Sequence, residues 1–446
     1  MSFARYPAYK DSGVAWLGEV PGHWEVKRLK LIASHNDETL DESTDADFEI
    51  LYVDISSVDP MLGITAKEAM LFSAAPSRAR RKVRNGDAIV STVRTYLRAI
   101  ARITNPEDNL IVSTGFAVVR PSPQVHHSFL GYLLTAGFFV DEVIARSVGV
   151  SYPAINASDL MRIAVPLPKY NEQQAIATFL DIETAKIDGL MAEQRALVAL
   201  LTEKRQAVIS HAVTKGLNPA APMKDSGVAW LGKVPGHWEV KRIKHLTASF
   251  EQGWSPQCEG FPVESENEWG VLKVGCVNGG IFRPEENKTL PDELEPIPAL
   301  GISSGDLLIS RANTRELVGS TAVATRDYPN LLLCDKLYRV RFHIGVCEPM
   351  FIGLYLGTNL ARSQIELAAN GASSSMVNIG QSIILEMQLA LPSIAEQNAI
   401  VEFLNHQTTQ LDTLTQQAQT AIALLQERRT ALISAAVTGK MDVRAA

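Results

Sequence analysis

Between Arg78 and Arg102 the chain carries eight basic side chains, Arg78, Arg80, Arg81, Lys82, Arg84, Arg94, Arg98 and Arg102, against one acid, Asp87. Clustered guanidinium and ammonium groups are the usual means of holding phosphate oxygens. Arg94, Thr95, Tyr96 and Arg98 follow the apolar run AIVST, which places them just beyond a buried strand, where a rigid scaffold can present them. The string GDLLISRANTREL puts Arg311, Asn313 and Arg315 at the matching place in the second half. Arginine and asparagine hydrogen-bond guanine and adenine edges bidentately in the major groove, while the other basic residues would hold phosphates. Taken singly, any of these could be a solvated surface group; the shared position after a Gly-Asp-strand favours a ligand. Ser151, which ends the loop SVGVS, and Tyr152 after it, Ser373 and Ser374 in its counterpart NGASSS, and Lys273 complete the candidate DNA-binding set.

Enzyme chemistry leaves no comparable trace. There is no G-x-x-x-x-G-K-[ST] phosphate loop and no G-x-G-x-x-G. The Asn/Asp-Pro-Pro-aromatic signature of an amino-methyltransferase is missing, since Asn105 and Asn218 precede single prolines. Pro291-Asp292 is not followed by the Glu-x-Lys or Asp-x-Lys that would complete a nuclease metal site, and the nine histidines show no H-E-x-x-H spacing. Cys258, Cys276, Cys334 and Cys347 form no C-x-x-C pair, so neither a disulfide framework nor a zinc site is expected, only buried thiols. The expectation is a chain without catalytic activity or metal of its own.

The elements that position these residues occur twice. Asp11–Lys30 reads DSGVAWLGEVPGHWEVKRLK and Asp225–Lys244 reads DSGVAWLGKVPGHWEVKRIK; LPKYNEQQAIATFL from Leu167 is answered by LPSIAEQNAIVEFL from Leu391. A duplicated unit of roughly 215 to 225 residues predicts two domains side by side, because solenoid repeats are far shorter. A length of 446 residues agrees with two cores, and 46% hydrophobic with 20% charged residues is ordinary for a folded chain. The net charge of −7 argues mildly against a simple nucleic-acid coat, so a positive face would have to be local. The opening MSFARYPAYKDSG lacks the apolar stretch of a signal sequence, and the longest apolar run, Phe129–Val140, is too short to span a bilayer; a cytoplasmic location is expected.

Each half shows the Trp-rich segment, then short β-like runs, then a long helix. The runs are Phe48–Ile55, Asp87–Val93, Leu110–Val119 and Met161–Leu167, and in the second half Gly270–Val274, Asp306–Ile309, Ser320–Ala324, Lys336–Phe342 and Glu386–Leu391. One intervening helix is expected in each half, from Phe129 and from Phe351. The fold class is therefore mixed α+β. In the long helices Ile176, Leu180, Ile187, Leu190, Leu197, Leu201 and Val208, with Ile400, Leu404, Leu411, Leu414, Ala421, Leu425 and Leu432, give a heptad seam, in which Glu183, Gln194 and Lys204 become Gln407, Ala418 and Arg428, all but Ala418 polar. Asn171 and a Ser393–Glu396 capping box mark the starts, and Gly216 and Gly439 the stops. Related by an approximate dyad, the helices would lie antiparallel as a rod on the order of 60 Å. Two separate amphipathic helices are the alternative. Trp16, Leu17, Trp24 and Val26, like Trp230, Leu231, Trp238 and Val240, suit either a core or a docking surface; core packing is expected.

Together the strings AWLGEVPGHWEVKRL, PLPKYNEQQAIATFLD, ALPSIAEQNAIVEFLN, KRQAVISHAVTKG and RRTALISAAVTGK resemble the specificity subunit of type I restriction-modification systems over the full length, and Gly86-Asp87 and Gly305-Asp306 match its target-recognition domains. The resemblance implies target-recognition domains at residues 1–168 and 217–390, spacer helices at 169–216 and 391–440, and a pseudo-twofold plan. It implies a bipartite, asymmetric double-stranded DNA target. Two modification subunits carrying S-adenosylmethionine, and restriction subunits with an ATP-driven motor and Mg2+-dependent nuclease, would be the partners; this chain would bind no cofactor itself. The alternatives left open are a self-contained DNA methyltransferase or nuclease with an unfamiliar site, and a protein scaffold that does not touch DNA.

Overall fold

Gly86 and Gly305 take φ of +90° and +86°, a conformation that side chains resist, and turn the chain into the strands Ala88–Ser91 and Leu307–Ser310. Both strands are buried throughout, as a strand covered on two faces must be. The computed structural model describes residues 4–265, 267–373 and 376–445. The chain divides into two compact units, Met1–Arg195 with Gln419–Ala446, and Ala196–Ala418, so that each holds one head and a stretch of both long helices. The division passes through those helices rather than at their starts.

In the first unit Ala88–Ser91 pairs antiparallel with Ile100–Arg102 on one side and Phe116–Pro121 on the other, and Phe116–Pro121 pairs with Ala33–His35. A second sheet runs Glu68–Leu71, Glu49–Val53, Leu110–Ser113, Ala79–Lys82, with its central pair parallel. The second unit repeats both sheets: Thr321–Val323, Leu307–Ser310, Leu337–Phe342 and Thr247–Gln252, then Asn287–Thr289, Gly270–Leu272, Tyr328–Leu332 and Gly301–Ile302. The copied segments pair to the strand before each long helix, Glu25–Arg28 with Ala164–Leu167 and Glu239–Arg242 with Gln388–Leu391.

The expected run Leu110–Val119 is two strands in different sheets, because Thr114-Gly115 turns the chain between them. The expected single helices are also two each. His127–Thr135 and Gly137–Ala145 meet at 58° across an extended Ala136, and Pro349–Leu356 and Asn359–Ala368 are separated at Gly357-Thr358, where Thr358 Oγ1 caps the second helix. No single helix among the described residues is long and apolar enough to cross a membrane.

Trp24 and Trp238 are buried in the two head cores, as are Leu17 and Leu231, and Trp16 stacks on Phe138 with centroids 5.3 Å apart. These residues are core. His23 and His237 reach Glu172 and Glu396 in the first turn of each long helix at 2.9 and 2.8 Å. Ser393 Oγ accepts from Glu396 N at 3.4 Å, but the Glu396 carboxylate is held by His237 and Trp238 instead of closing a capping box. Cys276, Cys334 and Cys347 are buried and Cys258 half-buried, all free; burial pushes the Cys334 and Cys347 thiols up to about 12.

The long helices run Tyr170–Lys215 and Ile394–Val437. Side chains turned away from solvent fall at Leu180, Thr184, Ile187, Met191, Gln194, Val198, Leu201 and Arg205, an alternation of four and three, and at the equivalent places from Leu404 to Arg429. Leu190, Leu197 and Leu414, expected in the seam, face solvent; Met191, Val198 and Thr415 take those places. Lys204 and Arg428 are exposed too, and the basic seam positions are Arg205 and Arg429. The misassignment follows from ranking leucine above methionine and valine, when register requires a step of four after Ile187. Within the first unit the start of the central helix packs beside the end of the terminal one, and within the second the end of the central beside the start of the terminal, so each unit contains an antiparallel stretch.

Candidate nucleic-acid interface

Beyond the strand Ala88–Ser91 the chain makes one tight excursion. Thr95–Leu97 form a single 3-10 turn between Arg94 and Arg98, which both adopt left-handed backbone, φ +50° and +53°. Such a conformation costs a non-glycine residue on the order of 1 kcal/mol and must be held by its surroundings. Thr92 Oγ1 donates to Gly115 O at 2.9 Å, Thr95 Oγ1 lies 2.8 Å from Ser147 Oγ, and Ser91 N donates to Ala99 O at 2.9 Å. The Gly/Ser-rich loop supplies the remaining support: Ile155 N donates to Thr92 O at 2.9 Å, and Val93 bridges Ala154.

The second unit has the same frame. Ile379 N donates to Arg311 O at 3.0 Å, and Ala312–Asn313 pair antiparallel with Met376–Asn378, which pair with Asn370–Ser373. In both heads, then, main-chain hydrogen bonds lock the segment after the Gly-Asp strand onto the loop after the helix pair. Ser373 lies in that outer strand, while Ser374 falls outside the described residues.

The frame brings some candidates together and separates others. Arg94 lies over the Tyr152 ring at 4.8 Å, a cation–π geometry, with Tyr96 and Ser151 exposed nearby in sequence and Thr95 buried as a support rather than a contact group. Arg78, Arg80, Arg81, Lys82 and Arg84 lie instead on and around the edge strand Ala79–Lys82 of the other sheet. One turn links the two places, for Thr114 N donates to Arg78 O at 2.7 Å and Thr92 N to Gly115 O at 2.8 Å. In the second unit the Arg311 guanidinium donates to Asp335 O, Asn313 Nδ2 reaches Asn278 Oδ1 and Ser310 Oγ at 3.5 and 3.4 Å, and Arg315 donates to Glu366 O. Lys273, half-buried, precedes the turn that carries Asn278.

The basic run is not the free positive face that its sequence suggests. Arg78 pairs with Asp54 at 2.7 Å, Arg84 with Glu38 at 2.6 Å, Arg98 with Asp141 at 3.2 Å and Arg102 with Asp181 at 3.1 Å. Arg80, Arg81, Lys82 and Arg94 have no ion pair among the described residues; Arg80 packs on Phe72, and burial lowers the Arg81 pKa. The acids come from elsewhere in the chain, which a local charge count cannot register. Sequence reasoning also missed the exposed apolar side chains of this frame. Val148 and Val150 are 80% and 101% exposed, with Leu97 and Val93 beside them in the same frame. Valines alternating with small residues in SVGVS were the available signal. Among the described residues no group of three or more His, Cys, Asp or Glu side chains is placed to hold a metal ion.

Comparison with known proteins agrees with this architecture. Residues 21–197 match the family model described as type I restriction modification DNA specificity domain. The EcoEI type I restriction enzyme specificity subunit of Escherichia coli is 29% identical over 207 residues, covering 46% of this chain but only 34% of that subunit. The EcoKI specificity subunit of Escherichia coli strain K12 is 24% identical over 331 residues, 73% of this chain and 68% of the relative. A solved structure described as the structural basis underlying complex assembly and conformational transition of the type I R-M system superposes with a TM-score of 0.68 at 25% identity, covering 94% of this chain and 98% of that one. Residues 21–197 thus match a type I restriction modification DNA specificity domain, the second half repeats the same frame, and the chain as a whole is similar to type I restriction enzyme specificity subunits.

Proposed function

We propose that the chain reads DNA for a type I restriction-modification complex, each head contacting one half of a bipartite, asymmetric double-stranded target. The observation that carries this is one main-chain frame presenting unlike side chains: VRTYLR in the first head, RANTRE in the second. Equivalent scaffolds with different hydrogen-bonding groups suit two different base sequences. Arg94, Tyr96, Tyr152 and Ser151 would read one half-site and Arg311, Asn313 and Arg315 the other, with Arg80, Lys82 and Lys273 on phosphates.

Catalysis would belong to the partners, with S-adenosylmethionine, ATP and Mg2+ on them and no cofactor on this chain, in the cytoplasm. The duplication offers two identical modification subunits two equivalent seats. Leu190 and Leu414 are 47% and 48% exposed, and Leu200 and Leu424 63% and 59%, the same positions in both copies. Restriction subunits would join that core.

Binding of the full chain with its modification partners to duplexes carrying either half-site altered tests the proposal. Arg94→Ala should weaken recognition of one half-site by roughly tenfold, the worth of a bidentate base contact, and leave the other intact. Equal loss at both half-sites, or methyl transfer by the purified chain alone, would overturn it.

A further inference from the structure

We propose that two equivalent Asp–Arg pairs, Asp188 with Arg429 and Asp412 with Arg205, are positioning residues that fix the register of the two long helices. In the first unit Arg429 Nε donates to Asp188 Oδ1 at 2.9 Å and Nη2 to Oδ2 at 3.3 Å. In the second unit Arg205 Nε donates to Asp412 Oδ1 at 2.9 Å and Nη2 to Oδ2 at 3.5 Å. Asp188 and Asp412 follow the seam residues Ile187 and Leu411 and occupy equivalent positions in the duplication; so do Arg205 and Arg429. Each pair thus joins the aspartate of one copy to the arginine of the other.

A seam lined by similar apolar residues every heptad tolerates displacement by whole heptads, and polar groups at seam positions are what select one register. Displacing one helix by seven residues in one sense brings Arg429 against Arg195 and Arg205 against Gln419. In the other sense Arg429 meets Asp181, already engaged by Arg102 and Tyr132, and Arg205 meets Asn405. Only the observed register gives both arginines a free carboxylate. Both guanidiniums are largely withdrawn from solvent, so each would be left desolvated and unpaired after a slip. The seam departures expected at Lys204 and Arg428 lie one residue earlier and face solvent.

Spin labels at Lys186→Cys and Gln419→Cys, both exposed and both in the first unit, measure the register in the full chain carrying Cys258→Ser. Wild type should give one narrow distance distribution. Reversing both arginines, Arg205→Asp with Arg429→Asp, should broaden it or shift it by about 10 Å, one heptad of helix rise. Adding Asp188→Arg and Asp412→Arg, which restores both pairs with their charges exchanged, should return the wild-type distribution. An unchanged distance in the reversed protein overturns the proposal. Should that protein not fold, the exchanged one decides: a wild-type distance supports the clasps and a shifted or unfolded state overturns them. The register is measured without DNA, so it stands or falls apart from DNA reading. On that reading, the reversed protein in its complex should accept spacers altered by about three base pairs about fivefold more readily; an unchanged spacer preference despite an altered distance would sever register from target choice.

Discussion

The carboxylate of Asp87 takes two hydrogen bonds from the guanidinium of Arg120, Nε to Oδ1 at 2.9 Å and Nη2 to Oδ2 at 2.8 Å. A third comes from Arg84 N at 2.8 Å, so the acid ties the Gly-Asp turn to the neighbouring strand. Asp306 does the same with Arg341, at 2.6 and 3.1 Å, and with Ser303 N at 2.9 Å. Removing one member of a buried pair strands the other. Asp87→Ala should destabilise its unit by about 3–5 kcal/mol in chemical unfolding, and Asp306→Ala by less, because Arg341 is 40% exposed and water can take over its pairing. A loss below about 1 kcal/mol would show the pair to be ornamental.

Gly439 and Gly216 end the two long helices at φ +73° and +77°. A side chain at Gly439 would place its Cβ 2.3 Å from Pro21 Cδ, whereas at Gly216 the nearest atom is Trp238 Cζ2 at 3.3 Å. Both Ala substitutions carry the left-handed backbone cost, but only the first also meets a ring in a rigid turn. Gly439→Ala should therefore lower the melting temperature of its unit clearly more than Gly216→Ala. Equal effects would mean that conformation alone matters.

Met191 is buried in the seam and Leu190 faces solvent. Met191→Ala should cost about 2–5 kcal/mol, as large-to-small changes in a packed interior do, and Leu190→Ala within about 0.5 kcal/mol. The reverse order, read from urea denaturation, would return the seam to the leucines.

The proton affinity of His126 is lowered: burial, then the charge of His127, hold its pKa below 6.5, against a smaller opposing pull from Asp181. The folded state binds fewer protons there than the unfolded chain, so its contribution is present above 6.5 and is lost as pH falls through the lower folded value. Glu348 stands at the same place in the second unit, each residue's main-chain N–H donating to a helix glutamine at 2.8 Å. Moving from neutral pH to near pH 5.5 should weaken the first unit at this site, and His126→Gln should remove that part of the dependence. A pH profile unaltered by the substitution would assign the effect elsewhere.

The duplication, the long helices and the strand after each Gly-Asp were legible because they depend on identity, periodicity and apolar runs, all local in sequence. Which of Leu190 or Met191 enters the seam was not, since adjacent residues differ by only one step of helix rotation. The charge of the Arg78–Arg102 stretch was misjudged for a different reason. Asp54, Glu38, Asp141 and Asp181 come to it only when the sheets and helices assemble. Thr95 was chosen as a contact residue from its neighbours, yet its hydroxyl turns inward to Ser147, which no spacing announces.

A lock whose bolts are Thr92 O with Ile155 N, and Arg311 O with Ile379 N, is indifferent to the side chains it displays. The displayed letters can be exchanged while the page stays bound. Substitution at the displayed positions can thus proceed without first breaking these main-chain bonds, and the two heads of one chain are at liberty to diverge while those bonds are kept in both.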